Sequence, residues 1–542
     1  MERPSKYNLY QYLENADEKR VFLFLVILTA LAGIIAQYLS FSGELIFRPN
    51  FGDPATRLDS SRRFYDSHTP GIWNQLGTVW LPAHSILLIP FTKITFLWQT
   101  GLAGSIIGFA SYMLGSLLIY KIIFRITGSK ISSVIGWVIY ALNPNILFLQ
   151  TTAMTEPLFY AFVIITLFYL QRLTDDWERM DLIKASFFMM LAAATRYEGW
   201  VLMAVFTLVV YYIYYKRKAN PFGYALIFAS TSVAFILFWL WYNWSQYGDA
   251  LEFQRGKYSL LHHVLVFLNA NMLPTKGNLL VSVEYFSKAV WINTGWLTIA
   301  AALTGIILYT AKNKLDLRKL FPYCLLVLYP FSIYSLFAGQ NVLMLPNASP
   351  PGFVHSRYGL SLLPALALFT GFAFFYLMDL NFIRNASVKI KNYFLILFAC
   401  IFIILQFAVY TVNFPSNVAS LEELNYGSNQ MFYKIKGVSE YLKDSYDGGN
   451  ILYDEVVIRL LPFCDIPYHE RIFPNTWEIG EKALENPVQY VRWIILDREM
   501  HRDNKMGLHF DEVNDRISGK KEFTSYFKMV YAKEGLEIYK KK

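Results

Sequence analysis

Between residues 51 and 90 the chain gathers Asp53, Asp59, Arg62, Arg63, Asp66, His68 and His84 in one polar stretch. A carboxylate in such company can act as an acid or base, and guanidinium groups can hold an anion such as phosphate. Asp53 followed by Pro54 also has the grammar of a helix start, with an acid at the N-cap and proline at the first helical position. A short helix through about Phe64 is therefore expected, and capping alone is the competing account of Asp53. Asp59 is spaced to pair with Arg62 or Arg63 at i+3 and i+4. Asp66, Ser67 and His68, just before Thr69-Pro70-Gly71, read as turn chemistry.

Further along, Glu156 sits in Thr-Ala-Met-Thr-Glu-Pro-Leu at the mouth of an apolar run, where a carboxylate is costly unless it faces a cavity or a partner. Its competing role is a favourable charge at a helix start, with Thr155 as cap. Arg196 and Glu198 flank Tyr197 where two apolar runs meet. Arg357 and Tyr358 open another run, where an arginine either snorkels to the interface or holds phosphate. The adjacent His262 and His263 read as loop packing rather than one metal site.

These residues are carried by an uncommon composition. Of 542 residues, 55% are hydrophobic, 18% aromatic and only 16% charged. A soluble enzyme carries roughly 25% charge, so the chain reads as a polytopic membrane protein. Apolar runs lie at about 21–41, 101–120, 131–149, 155–171, 184–196, 198–215, 222–243, 290–310, 320–338, 358–378 and 393–412, about 11 transmembrane helices. The net charge of +9 follows basic residues that flank these runs, so it sets topology rather than suggesting nucleic acid. Lys121, Arg125, Arg172, Arg179, Lys216, Arg217, Lys312 and Lys389 mark one set of turns as cytoplasmic. The alternate set, including 42–100, 150–154, 196–198, 244–289 and 339–357, then faces outward together with the tail.

From about 413 the sequence turns mixed and polar. Residues 429–444 read as an amphipathic helix, 450–454 and 490–497 as buried strands, and 529–540 as a hairpin. The division expected is a transmembrane catalytic domain over 1–412, with short helices in the 42–100 loop, and a small extracytoplasmic α/β domain over 413–542. Three cysteines offer no evident disulfide pair.

Under this topology Asp53, Glu156, Arg196 and Arg357 converge on one face. An acid or base and several cations beside lipid suit a substrate with a phosphate head and a hydrocarbon tail, such as a polyprenyl-phosphate sugar donor.

The chain resembles the GT-C superfamily of membrane glycosyltransferases, in the branch of protein O-mannosyltransferases, aminoarabinose transferases and uncharacterised prokaryotic relatives. The resemblance covers roughly residues 20–380. It rests on the first loop with Asp53 and Arg62-Arg63, on Gln75-Leu76-Gly77-Thr78-Val79-Trp80-Leu81-Pro82, on Thr155-Glu156-Pro157, on Thr195-Arg196-Tyr197-Glu198-Gly199, and on Arg357-Tyr358-Gly359-Leu360. It implies a GT-C-like polytopic α-helical fold and inverting transfer of a sugar from a polyprenyl-phosphate-linked donor to a protein, lipid or glycan acceptor outside the membrane. Asp53 is then the catalytic base, although Pro54 stands where the family usually has a second acid. Arg62, Arg63, His84, Glu156, Arg196, Glu198, Arg357 and Tyr358 bind substrate. The prokaryotic pattern implies a plasma-membrane location. No cofactor is required, and Asp53, Asp59, Asp66, His68 and His84, though able to ligate a divalent metal, match no metal motif. A transporter or flippase of a lipid-linked or anionic substrate is the rival reading, but no repeated halves are visible.

Overall fold

The computed structural model describes residues 17–47, 49–256, 272–313, 319–345, 355–377, 388–412, 429–460, 466–500 and 511–542, with isolated positions between them. His262 and His263 lie outside the described residues.

Every apolar run expected to span coincides with helix. Among the described residues, six helices are long and apolar enough to cross a membrane alone: Glu18–Ser42, Leu102–Thr127, Glu156–Asp176, Glu198–Lys216, Pro221–Tyr247 and Ser356–Leu377. The last begins as a 3-10 turn over Ser356–Leu362. The others are shorter or broken: Asn143-Pro144 divides the third run into Lys130–Ala141 and Pro144–Leu149, with Asn143 capping the second piece. The fifth is the 15-residue helix Arg179–Ala193.

One run departs from the sequence reading. The span expected over 290–310 is two helices, Leu279–Thr294 and Trp296–Asn313, bent by 105° at Gly295. Gly295 has φ +78°, a conformation that an L side chain strains to adopt. A break at membrane depth strands backbone carbonyls that must find donors. Here Asn143 and Asn145 donate to the Asn293 carbonyl at 2.9 and 3.2 Å. Gln406 and Tyr410 donate to that of Thr294 at 3.0 and 3.2 Å.

The tail forms the expected α/β unit. Helix Asn429–Ser445 accompanies strands β1 (Ile451–Leu452), β2 (Arg471–Ile472), β3 (Trp493–Asp497), β4 (Phe527–Lys533) and β5 (Leu536–Lys541). Their order is β2-β1-β3-β5-β4, with β1 parallel to β2 and β3, and β5 antiparallel to β3 and β4. Glu534 and Gly535 both take positive φ, as a two-residue hairpin turn matched to strand twist requires.

This unit docks on the first loop. Ile46, Phe47, Ala55, Leu58, Leu88 and Trp98 share one apolar core with Val438, Leu442, Ile451, Tyr453 and Ile458. Polar contacts fix the register. Asp66 accepts from the backbone N–H groups of Tyr468 and His469, each at 3.3 Å, and lies 2.5 Å from His469 Nδ1. Arg62 bonds the same carboxylate at 2.8 Å. Asp59 accepts from Trp98 at 3.1 Å and faces the fully buried Arg471 at 3.8 Å. The expected pairing of Asp59 with Arg62 or Arg63 does not form, because the tail presents partners that short-range spacing cannot anticipate. Asp66 is an interface residue rather than a turn residue for the same reason.

Candidate active site

The helix bearing Asp53 runs over Pro49–Arg62, so it starts earlier than the Asp-Pro signal suggested. Gly52, at φ +95°, interrupts its regular geometry, and Asp53-Pro54 restarts it. This places Asp53, only 9% exposed, against the bundle. Glu156 arrives from the first turn of Glu156–Asp176 and is fully buried. Arg196 comes from the tight turn between Arg179–Ala193 and Glu198–Lys216. Arg357 comes from the 3-10 turn, which Asn293 Nδ2 holds by donating to the Ser356 carbonyl at 2.8 Å.

Glu156 is the hub. Its Oε1 accepts from Arg357 Nε at 3.0 Å and lies 2.9 Å from Arg196 Nη1. Arg196 is held further by Glu198 at 2.7 and 3.1 Å and by Thr155 Oγ1 at 3.3 Å. Arg196 and Glu198 thus face each other despite being two residues apart. Arg357 continues toward Asp53, with Nη2 3.6 Å from Oδ2. At 3% exposure its side chain does not snorkel. The Tyr358 ring lies 5.3 and 5.4 Å from the Arg196 and Arg357 guanidinium centres.

Two arginines join the group that the sequence reading did not single out. Arg57, one helical turn after Asp53, lies over Trp80 at 4.3 Å and within electrostatic reach of Asp53 and Glu156. Its i+4 spacing from Asp53 was the available signal. Burial lowers its pKa below the ordinary value, with Asp53 opposing. Arg459 enters from the tail, Nη1 3.8 Å from Asp53 Oδ1, and nothing local in the sequence marks it. His84 is buried close by, and desolvation together with Arg57 holds its pKa down at about 3, so it is a neutral imidazole.

Arg62 and Arg63 are not drawn into this cluster. Arg62 packs over Trp98 at 4.6 Å and bonds Asp66 and the Thr92 carbonyl, while Arg63 donates to the Gln75 carbonyl at 3.0 Å. They shape the loop and its contact with the tail. Asp53, Asp59, Asp66, His68 and His84 are spread among these separate settings, and among the described residues no three His, Cys, Asp or Glu side chains form a metal-ligand group.

Four guanidinium groups, from Arg57, Arg196, Arg357 and Arg459, therefore surround three carboxylates, Asp53, Glu156 and Glu198. Nε of Arg57 and Nη1 of Arg459 are buried without a hydrogen-bond partner among the described residues. Buried donors of this kind seek an acceptor, and a surplus of guanidinium charge favours an anion, phosphate above all.

The architecture has counterparts among solved membrane-protein structures. The chain is similar in structure to ArnT from Cupriavidus metallidurans bound to undecaprenyl phosphate, with a TM-score of 0.54 at 12% identity, over 95% of this chain and 97% of that one. It is also similar to the Archaeoglobus fulgidus oligosaccharyltransferase tethered with an acceptor peptide, with a TM-score of 0.51 at 13% identity, over 97% of this chain and 74% of that one. No family model and no curated protein matches the sequence.

Proposed function

We propose that this protein is an integral-membrane glycosyltransferase that moves a sugar from a polyprenyl-phosphate-linked donor to an acceptor hydroxyl on the extracytoplasmic side. The observation that carries the reading is the joining of Asp53 to the Glu156, Arg196 and Arg357 cluster within a GT-C fold. Asp53 accepts the hydroxyl proton as the acceptor oxygen forms its bond to the anomeric carbon. The bond from that carbon to the phosphate oxygen breaks in the same displacement, with inversion, and its electron pair leaves with the lipid phosphate. Arg357, Arg196 and Arg57 stabilise that departing charge. Glu156, already engaged by two arginines, orients them rather than acting as a second base.

Charge supports this sidedness. Lys121 pairs with Glu18 at 2.6 Å and Arg125 with Asp175 at 2.5 Å at the bundle end opposite Asp53, and basic turns favour the cytoplasm. The tail, docked on the 42–100 loop, lies on the same side as the site. The ArnT neighbour's undecaprenyl phosphate supports the donor class.

The test incubates the purified protein in nanodiscs with a panel of polyprenyl-phosphate and nucleotide-linked sugars and reads protection against thermal unfolding. A polyprenyl-linked sugar is expected to stabilise the protein, and Arg196→Ala or Arg357→Ala to lessen the effect. Stabilisation by nucleotide sugars alone would overturn the donor assignment. The flippase reading would regain ground if lipid-linked sugars bound but no acceptor yielded product.

A further inference from the structure

We propose that Arg459, delivered by the tail domain, forms part of the anion-binding wall of the site and holds the phosphate of the lipid-linked substrate beside Asp53. The inference rests on the donor class proposed above and extends the site to a domain outside the transmembrane bundle.

The geometry brings Arg459 and Arg357 to the two oxygens of one carboxylate, at 3.8 Å from Oδ1 and 3.6 Å from Oδ2. At that distance the Arg459 contact is an ion pair without a hydrogen bond, and Nη1 stays buried with no acceptor among the described residues. Glu455 and Asp59 are the other acids within electrostatic reach, but Glu455 bonds Asn475 at 3.2 Å and Asp59 faces Arg471 and Trp98. A donor buried among engaged carboxylates is matched to an incoming anion.

The loop is also shaped to admit this side chain. A Cβ on Gly52 would meet Arg459 Cδ at 3.0 Å and Nη1 at 3.3 Å, and Gly52 has φ +95°, so the arginine crosses bare backbone immediately before Asp53. Its own segment is held firmly. The N–H groups of Val457 and Ile458 bond the Asp454 carbonyl at 3.2 and 2.8 Å, and the Asp454 side chain accepts from Val456 and Glu512 at 2.9 and 3.0 Å. Ile458 is fully buried in the core shared with the loop. A guanidinium held in this way loses little freedom when it binds phosphate.

The experiment titrates the full-length protein in nanodiscs with undecaprenyl phosphate, comparing the unsubstituted protein with Arg459→Met, Arg459→Lys and Arg471→Met. Limited proteolysis of each reports whether the tail stays docked. Arg459→Met is expected to weaken binding about tenfold, as loss of a charge-assisted bond does, with the tail still protected, and Arg459→Lys to recover part of the loss. Undiminished binding by Arg459→Met would overturn the proposal. So would a loss that appears only with tail release and is matched by Arg471→Met, because Arg459 would then be a clamp. If the unsubstituted protein itself fails to bind undecaprenyl phosphate, the donor class falls, and this inference falls with it.

Discussion

Arg357 donates through Nε to Glu156 at 3.0 Å across 201 positions of chain, and both side chains are almost wholly shielded from solvent. A carboxylate in that position is shared with Arg196, so removing its charge leaves two buried guanidinium groups facing each other. Glu156→Gln is therefore expected to destabilise the protein by about 3 to 5 kcal/mol, as breaking a buried pair does. Thermal unfolding in nanodiscs reads this directly. A variant as stable as the unsubstituted protein would show that the pair is wetted and that Glu156 does not organise the arginines.

Asp53→Asn removes the proposed base while keeping the shape of the loop. Transfer is expected to fall by about 100-fold to 10,000-fold, the range for loss of general-base assistance. Donor-induced stabilisation should persist, because the phosphate contacts are untouched. Retained transfer would eliminate Asp53 as the base.

Asn293 touches no proposed reacting group, yet its Nδ2 donates to the Ala289 and Ser356 carbonyls at 2.7 and 2.8 Å, fixing the turn that carries Arg357. Asn293→Ala should raise the donor KM several-fold, in line with about 1 kcal/mol for the lost bond, and lower kcat less. A kcat loss with unchanged KM would contradict this positioning role.

The contact between loop and tail has a signed pH dependence. Burial pushes Asp59 up to about 7 against the opposing pull of Arg471 and Trp98. A carboxyl whose folded pKa is raised favours the folded form at low pH, and this contribution is lost as pH climbs from about 4 through 7. The melting temperature of Asp59→Asn relative to the unsubstituted protein should therefore rise between pH 5 and pH 8. A difference that stayed flat or fell would show that Arg471 keeps Asp59 ionised throughout. Asp66 behaves oppositely: against burial, the bonds from His469 and Arg62 hold it below the usual carboxylate range, so its contribution disappears on acidification.

Much of this arrangement was legible in the chain. Apolar runs located the helices, because a bilayer demands long uncharged stretches, and alternating basic turns brought Asp53, Glu156, Arg196 and Arg357 to one end. Period and turn chemistry located the tail's helix, its strands β1 and β3, and the β4–β5 hairpin. The bend at Gly295 was not legible, since composition does not distinguish a straight helix from two joined at 105°. Nor were the tail partners of Asp59 and Asp66. Local spacing offered Arg62 and Arg63, while Arg471 and His469 lie some 400 positions away. Arg57 was within reach of an i+4 argument, but Arg459 is brought to Asp53 only by tertiary packing.

The tail's grip on the loop also orders events during synthesis. Residues 42–100 leave the ribosome and reach their side of the membrane long before Tyr468, His469 and Arg471 exist. Until those arrive, Asp59 lacks Arg471 and Asp66 lacks His469, and Leu58 and Trp98 have no apolar cover from the tail. The loop must wait in a looser form while the remaining helices insert. Its final shape, and with it the setting of Asp53, is completed only after the last segment has been made. A nascent chain stalled before the tail would sit fully threaded in the bilayer with its most polar loop unfinished.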